Sequence, residues 1–267
     1  MKSNNRYLGA AMIAPFIIFV FLGGVYLKAF TFVLSVAALY EFYNAVHAKS
    51  FKPINIAGYI LLLIYYFCNN NFEIMMYILV LATFILLIIP VMNLKYTFID
   101  VALTILGFLY AGVLFSFVYL VNTKPSGAFL VWLIFIGSWL CDTAAFYSGK
   151  FFGKHKLCPE VSPKKTVEGS IGGMIGATVF SGIYGIIISR YTNVIPTYHY
   201  FLIGALCGIV GQLGDLVASS IKRYAGIKDY SNLIPGHGGI LDRFDSIIFS
   251  SAAIFYYLTF IVGIWCK

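Results

Sequence analysis

Residues 73–92 read EIMMYILVLATFILLIIPVM. An acid opens the run, Pro90 lies near its end, and nearly everything between is apolar. About 20 such residues, rising about 1.5 Å each in an α-helix, cross the roughly 30 Å hydrocarbon core of a bilayer. Further runs of the same character lie at 7–23, 25–46, 54–69, 98–121, 126–147, 170–189, 199–220 and 247–265. None shows the alternation of a membrane barrel, so each span is expected to satisfy its backbone as a helix. The composition agrees: 61% of the 267 residues are hydrophobic and 10% are charged, where a soluble domain carries about 25% charged. The expected fold is an all-α polytopic membrane protein with nine transmembrane helices in one bundle. It forms a single domain over 1–267, with plain spans in 1–125 and the polar loops in 126–267.

Lys and Arg number 18 against 10 Asp and Glu, giving +8. In a soluble chain that excess would suggest nucleic acid; here the positive-inside bias accounts for it, and no nucleic-acid partner is expected. With the N-terminus inside, 14 of the 18 basic residues fall on the cytoplasmic side, leaving Lys28, Lys124, Arg190 and Lys267. The C-terminus is then outside, and the long segments 148–169 and 221–246 face the cytosol. Lys2 and Arg6 precede the first apolar run as in a signal peptide, but no small-residue cleavage site follows, so the run reads as a retained span. The five cysteines have no CxxC spacing, which favours neither a metal nor a disulfide.

Acids at membrane depth need a reason. Asp215 sits inside the eighth run, in GQLGDLVASSIKR, where an ionised carboxylate costs roughly 3 kcal/mol unless it faces a polar interior or a cation. Gly204, Gly208, Gly211, Asp215, Ser219 and Lys222 recur every three or four residues and share one helix face. An Asp215–Lys222 pair that merely joins helices is the plain alternative. The loop that follows argues for more. Residues 222–245 read KRYAGIKDYSNLIPGHGGILDRFD. Asp242 and Asp245 share a face if they open the ninth helix. With Asp215 they could hold a divalent cation through oxygen ligands, as Mg²⁺ prefers. Lys222, Arg223, Lys228 and Arg243 suit phosphate oxygens. Gly236, Gly238 and Gly239 surround His237 and let backbone N–H groups approach an anion; an ordinary loop histidine is the plain reading of His237.

The other polar segment, 141–176, reads CDTAAFYSGKFFGKHKLCPEVSPKKTVEGSIGGMIG. Asp142 is again an acid near the inner end of a span. Ser162, Lys164, Lys165 and Thr166 set two lysines between two hydroxyls, a clamp for a triphosphate. It is not a P-loop, since GxxxxGK[ST] is absent. Gly169, Gly172, Gly173 and Gly176 form overlapping GxxxG pairs, which read as helix packing. Glu41, in ALYEFYNAV, either snorkels to the interface or pairs with a cation.

Residues 219–245, SSIKRYAGIKDYSNLIPGHGGILDRFD, resemble the signature of the phosphatidate cytidylyltransferases, also called CDP-diacylglycerol synthases. That pattern runs Ser-x-aliphatic-Lys-Arg, four residues, Lys-Asp, then Pro-x-His-Gly-Gly and Asp-Arg-x-Asp. Ser219, Lys222, Arg223, Lys228, Asp229, Pro235, His237, Gly238, Gly239, Asp242, Arg243 and Asp245 all match it. GQLGDL and SPKKTVEGSIGG are similar to that family too, so the resemblance covers most of 140–250; upstream, only EFY at Glu41 joins it.

The resemblance implies a reaction for phospholipid synthesis: CTP and phosphatidate give CDP-diacylglycerol and pyrophosphate, with Mg²⁺. It implies a multi-pass protein of the cell membrane, as in a bacterial inner membrane. The site would be cytoplasmic, where CTP meets phosphatidate in the inner leaflet. Within that frame Asp215 and Asp242 are the first metal ligands, with Asp245 and Asp142 after them. Lys222, Arg223, Arg243 and His237 belong to the reacting phosphates, and Lys164 and Lys165 to the pyrophosphate end of CTP. Ser162, Thr166, Ser219, Lys228, Gly238 and Gly239 complete the substrate set. A second, monovalent cation is compatible with this set, and glycine-rich faces are compatible with a homodimer. A CTP-dependent polyprenol kinase is the nearer rival, with a lipid alcohol as nucleophile. An ion-coupled transporter fits the buried acids, but they cluster at the inner end and no inverted repeat is visible.

Overall fold

The computed structural model describes residues 16–68, 71–192, 195–233 and 238–265. Seven helices in it are long and apolar enough to cross a membrane: α1 (Gly24–His47), α3 (Glu73–Met92), α4 (Phe98–Asn122), α5 (Gly127–Phe152), α6 (Val167–Ile188), α7 (Thr197–Ala225) and α8 (Leu241–Ile261). The expected span at 7–23 lies mostly outside the described residues; residues 16–22 are helical. Their outer faces are greasy: Val91 is 79% and Met92 82% exposed. Water would penalise such a surface by roughly 25 cal/mol per Å², whereas lipid tails do not. The protein is therefore an all-α, multi-pass membrane protein.

Several boundaries depart from the hydropathy reading. The expected span at 54–69 is only the 13-residue α2 (Asn55–Phe67), about 20 Å at helical rise. Asparagines follow it, and Asn71 accepts hydrogen bonds from the Glu73 and Ile74 N–H groups, starting α3 instead. The helices α5, α7 and α8 run into the charged segments. Lys150 sits in the last turn of α5, Lys222 and Arg223 in that of α7, and Asp242 in the first turn of α8. Each sign matches the helix dipole, so charge that ends a hydropathy window here extends the helix. The segment 148–169 also holds a hairpin that the all-helical reading lacks. Strand β1 (Lys156–Cys158) pairs antiparallel with β2 (Ser162–Thr166), Lys156 opposite Thr166 and Cys158 opposite Ser162.

The chain packs as two compact units. The first gathers residues 29–116 and 221–242. Its core tyrosines are fully buried and hydrogen-bonded: Tyr43 donates to the Thr104 carbonyl at 2.9 Å, and the Tyr65 and Ser116 hydroxyls lie 2.6 Å apart. A Cβ at Gly58 would strike the Tyr43 hydroxyl, so glycine makes room for the ring.

The second unit gathers residues 117–220, with 16–28 and 243–265. Here Gly173 and Gly176 lie against Ala145 and Ala144, so α5 and α6 pack closely through the GxxxG face as expected. The glycine stripe of α7 serves the same end. A Cβ on Gly208 would stand 2.7 Å from the Met174 Cα of α6, and Gly211 faces Ser250 of α8. Lys124, expected in an outer loop, is instead 3% exposed. Its ammonium donates to Thr259 Oγ1 and the Ile264 carbonyl, both at 2.7 Å, and lies 4.3 Å from the Phe255 ring centre.

Candidate active site

In the second unit, close packing of α5 on α6 leaves a cavity of about 440 Å³ at the hairpin end. Asp142, Lys150, Lys164, Lys165, Thr166 and Asp215 are among the residues that line it. Lys165, at the hairpin's second strand, reaches Asp215 of α7 with its ammonium 2.5 Å from Oδ2. Asp142 lines the same cavity as both groups. Ser219, one turn further along α7, donates to Asp215 Oδ1 at 3.3 Å, as their spacing on one face foretold. Thr166 lines the cavity and also caps α6, its hydroxyl accepting from the Gly169 N–H at 3.1 Å. Ser162 opens β2.

The cavity holds residues the sequence reading passed over. Lys150, Ser170 and Gln212 line it too. Gln212 is 9% exposed and its amide donates to the Gly208 carbonyl at 2.6 Å and the Ser170 carbonyl at 3.0 Å. It ties α7 to α6 just beside Asp215. Its position three before Asp215, on the same helix face, was the available signal.

The first unit builds a different arrangement. Asp242, at the start of α8, has a side chain only 6% exposed, and Oδ1 lies 2.6 Å from the Lys222 ammonium. Its other oxygen accepts from the Tyr230 N–H at 2.8 Å and the Gly239 N–H at 2.9 Å. One carboxylate thus ties the end of α7 to both ends of the signature loop. Gly238 has φ +83, a conformation that favours glycine. Arg223 and Lys228 are exposed. Of the second unit's residues in the same signature, Arg243 is exposed and Asp245 is buried with Oδ1 accepting from the Ser246 N–H at 2.7 Å. His237 lies outside the described residues.

The structure thus joins Asp215 to Lys165 and Lys222 to Asp242, where the helix face alone offered Asp215 with Lys222. No three Asp, Glu, His or Cys side chains form a ready metal cage among the described residues. A pair of carboxylates on the wall of such a cavity nevertheless suits Mg²⁺, because it is commonly held by one or two carboxylates plus substrate phosphates and water. Asp142 and Asp215 fit that requirement, and the lysines beside them fit the phosphates.

Comparison with known proteins bears on this arrangement. The model of the cytidylyltransferase family matches residues 5–261. A protein of Staphylococcus haemolyticus named phosphatidate cytidylyltransferase is 35% identical over 233 residues, 85% of this chain and 88% of that one. Proteins of the same name from Staphylococcus saprophyticus and Staphylococcus aureus are each 35% identical over 85% of this chain and 87% of their own.

Proposed function

This chain belongs to the cytidylyltransferase family, and we propose that it carries out the reaction its relatives are named for. It transfers the cytidylyl group of CTP to phosphatidate, giving CDP-diacylglycerol and pyrophosphate, a step in making phospholipids. The observation that carries this reading is the cavity in the second unit. Acids that suit a cation and lysines that suit a triphosphate share its wall, on helices long and apolar enough to sit in a bilayer.

A phosphate oxygen of phosphatidate attacks the α-phosphorus of CTP. The new P–O bond forms as the bond from the α-phosphorus to the β-phosphate oxygen breaks, and pyrophosphate leaves. The nucleophile is already an anion, so no side chain has to remove a proton. The protein's work is then orientation and charge compensation. Lys164 and Lys165 hold the departing pyrophosphate, and Lys222, Arg223 and Arg243 take the phosphates that react. Ser219 holds Asp215 in its rotamer. Asp142 and Asp215 would hold Mg²⁺, which when bound neutralises phosphate charge. We place the site at the cytoplasmic face, the side to which the basic residues assign the hairpin and the signature loop.

Purified protein supplied with CTP, phosphatidate and Mg²⁺, each omitted in turn, tests this directly. Pyrophosphate should appear only when all three are present. CDP formed with a lipid alcohol, and no pyrophosphate, would move the same groups to a kinase.

A further inference from the structure

Glu41 lies outside the signature, on α1, and is 1% exposed. A buried carboxylate is costly unless hydrogen bonds hold its charge. Its Oε1 accepts from Ser231 Oγ at 2.6 Å and from the Ile240 N–H at 2.8 Å. Its Oε2 accepts from the Leu241 N–H at 2.8 Å.

Leu241 is the first residue of α8. Two of the donors are therefore backbone groups that a helix start leaves without intrahelical partners. A polar residue just before the helix would cap the N–H groups two and three residues on, leaving these two unserved, and Ile240, which stands there, has no side-chain acceptor at all. α8 takes its cap from a different helix, and a negative cap also suits the positive end of the helix dipole. The fit is tight: a Cβ at Gly239 would land on the Glu41 carboxylate. Asp242, next along α8, binds Lys222, Tyr230 and Gly239. The segment from Tyr230 to Asp242 is thus tied by two carboxylates, one from inside the signature and one from far upstream.

We infer that Glu41 is a positioning residue for the reaction. It sets the backbone of Gly239–Leu241, and so the place of Asp242 and its Lys222 partner, without contributing to the phosphate chemistry itself. The kinetic half of this inference rests on the proposed cytidylyl transfer; the ordering of the loop does not.

The isostere E41Q separates this role from simple packing. Its size is unchanged, but one end becomes an NH₂ donor that must face either the Leu241 N–H or the Ser231–Ile240 pair. E41D keeps the charge and falls one methylene short. S231A removes a single donor. Hydrogen exchange on the full-length protein in detergent, without substrates, reads the loop; steady-state kinetics read its consequence. In E41Q the Ile240 and Leu241 amides should lose about tenfold or more of their protection while α5 and α6 keep theirs. Its kcat should fall about 30-fold with the KM for CTP within about threefold, E41D should lie between E41Q and wild type, and S231A should be mildest. Unchanged exchange at Ile240 and Leu241 would overturn the inference. So would loss of protection throughout the chain, or a kcat that stays at the wild-type value. Wild-type protein that orders this loop yet makes no CDP-diacylglycerol would sink the proposed reaction instead, leaving the loop's restraint standing.

Discussion

Asp215 and Asp242 each sit 2.5–2.6 Å from a lysine, yet their surroundings differ. Asp242 is 6% exposed at its side chain, and both its oxygens are engaged by Lys222 and two backbone N–H groups. Asp215 is 32% exposed, opens onto a cavity, and faces a second acid, Asp142. A satisfied carboxylate orders the chain around it, because breaking its bonds strands a buried charge. A part-exposed carboxylate on a cavity wall, with a second acid lining the same cavity, has lone pairs left for a cation. Under the proposed reaction, the membrane-depth acids of one sequence divide into a fastener, Asp242, and a cation ligand, Asp215.

The largest effect should come from Asp215. Asp215→Ala should lower cytidylyl transfer by about 10³-fold or more, with normal insertion and yield, because it removes charge compensation at the reacting phosphates. Wild-type turnover in that variant would end the cavity's claim to be the site. Asp242→Asn sharpens the comparison. It should also cost activity, about 10²-fold, but by loosening the loop. Mn²⁺ binding read by electron paramagnetic resonance should then survive in Asp242→Asn and vanish in Asp215→Asn. If both lose it, Asp242 leaves Lys222 for the cation and the division fails.

Lys165→Met should raise the KM for CTP about 30-fold, the equivalent of a charge-assisted hydrogen bond worth roughly 2 kcal/mol. An unchanged KM would leave the triphosphate to Lys150 and Lys164. The smallest effect belongs to Ser219→Ala. Its 3.3 Å bond to Asp215 is a weak one, so loss of roughly 0.5–1 kcal/mol should slow turnover two- to fivefold.

What the sequence could reveal followed from short-range rules. Apolar runs located the long helices, the three-residue spacing put Asp242 and Asp245 on one face should they open a helix, which they do, and GxxxG spacing marked a packing face of α6 without naming α5 as its partner. Helical periodicity names neighbours on one helix only, so it offered Asp215 with Lys222 and could not choose Lys165, which arrives on a hairpin. The hairpin itself was hidden because two very short strands leave too few residues for an alternation to show. Glu41 read as either an interfacial acid or the partner of a cation because its donors lie up to 200 residues away. Hydropathy also misplaced the helix ends, since it scores charge as loop where the dipole makes charge a helix terminator.

The most direct test of the account follows the phosphorus of CTP. Purified protein would be given phosphatidate, Mg²⁺ and CTP labelled either at the α- or at the γ-phosphate, and the lipid fraction counted. The account predicts α-label in the lipid and γ-label released as pyrophosphate. Label from the γ-phosphate in the lipid, with none from the α, would contradict it.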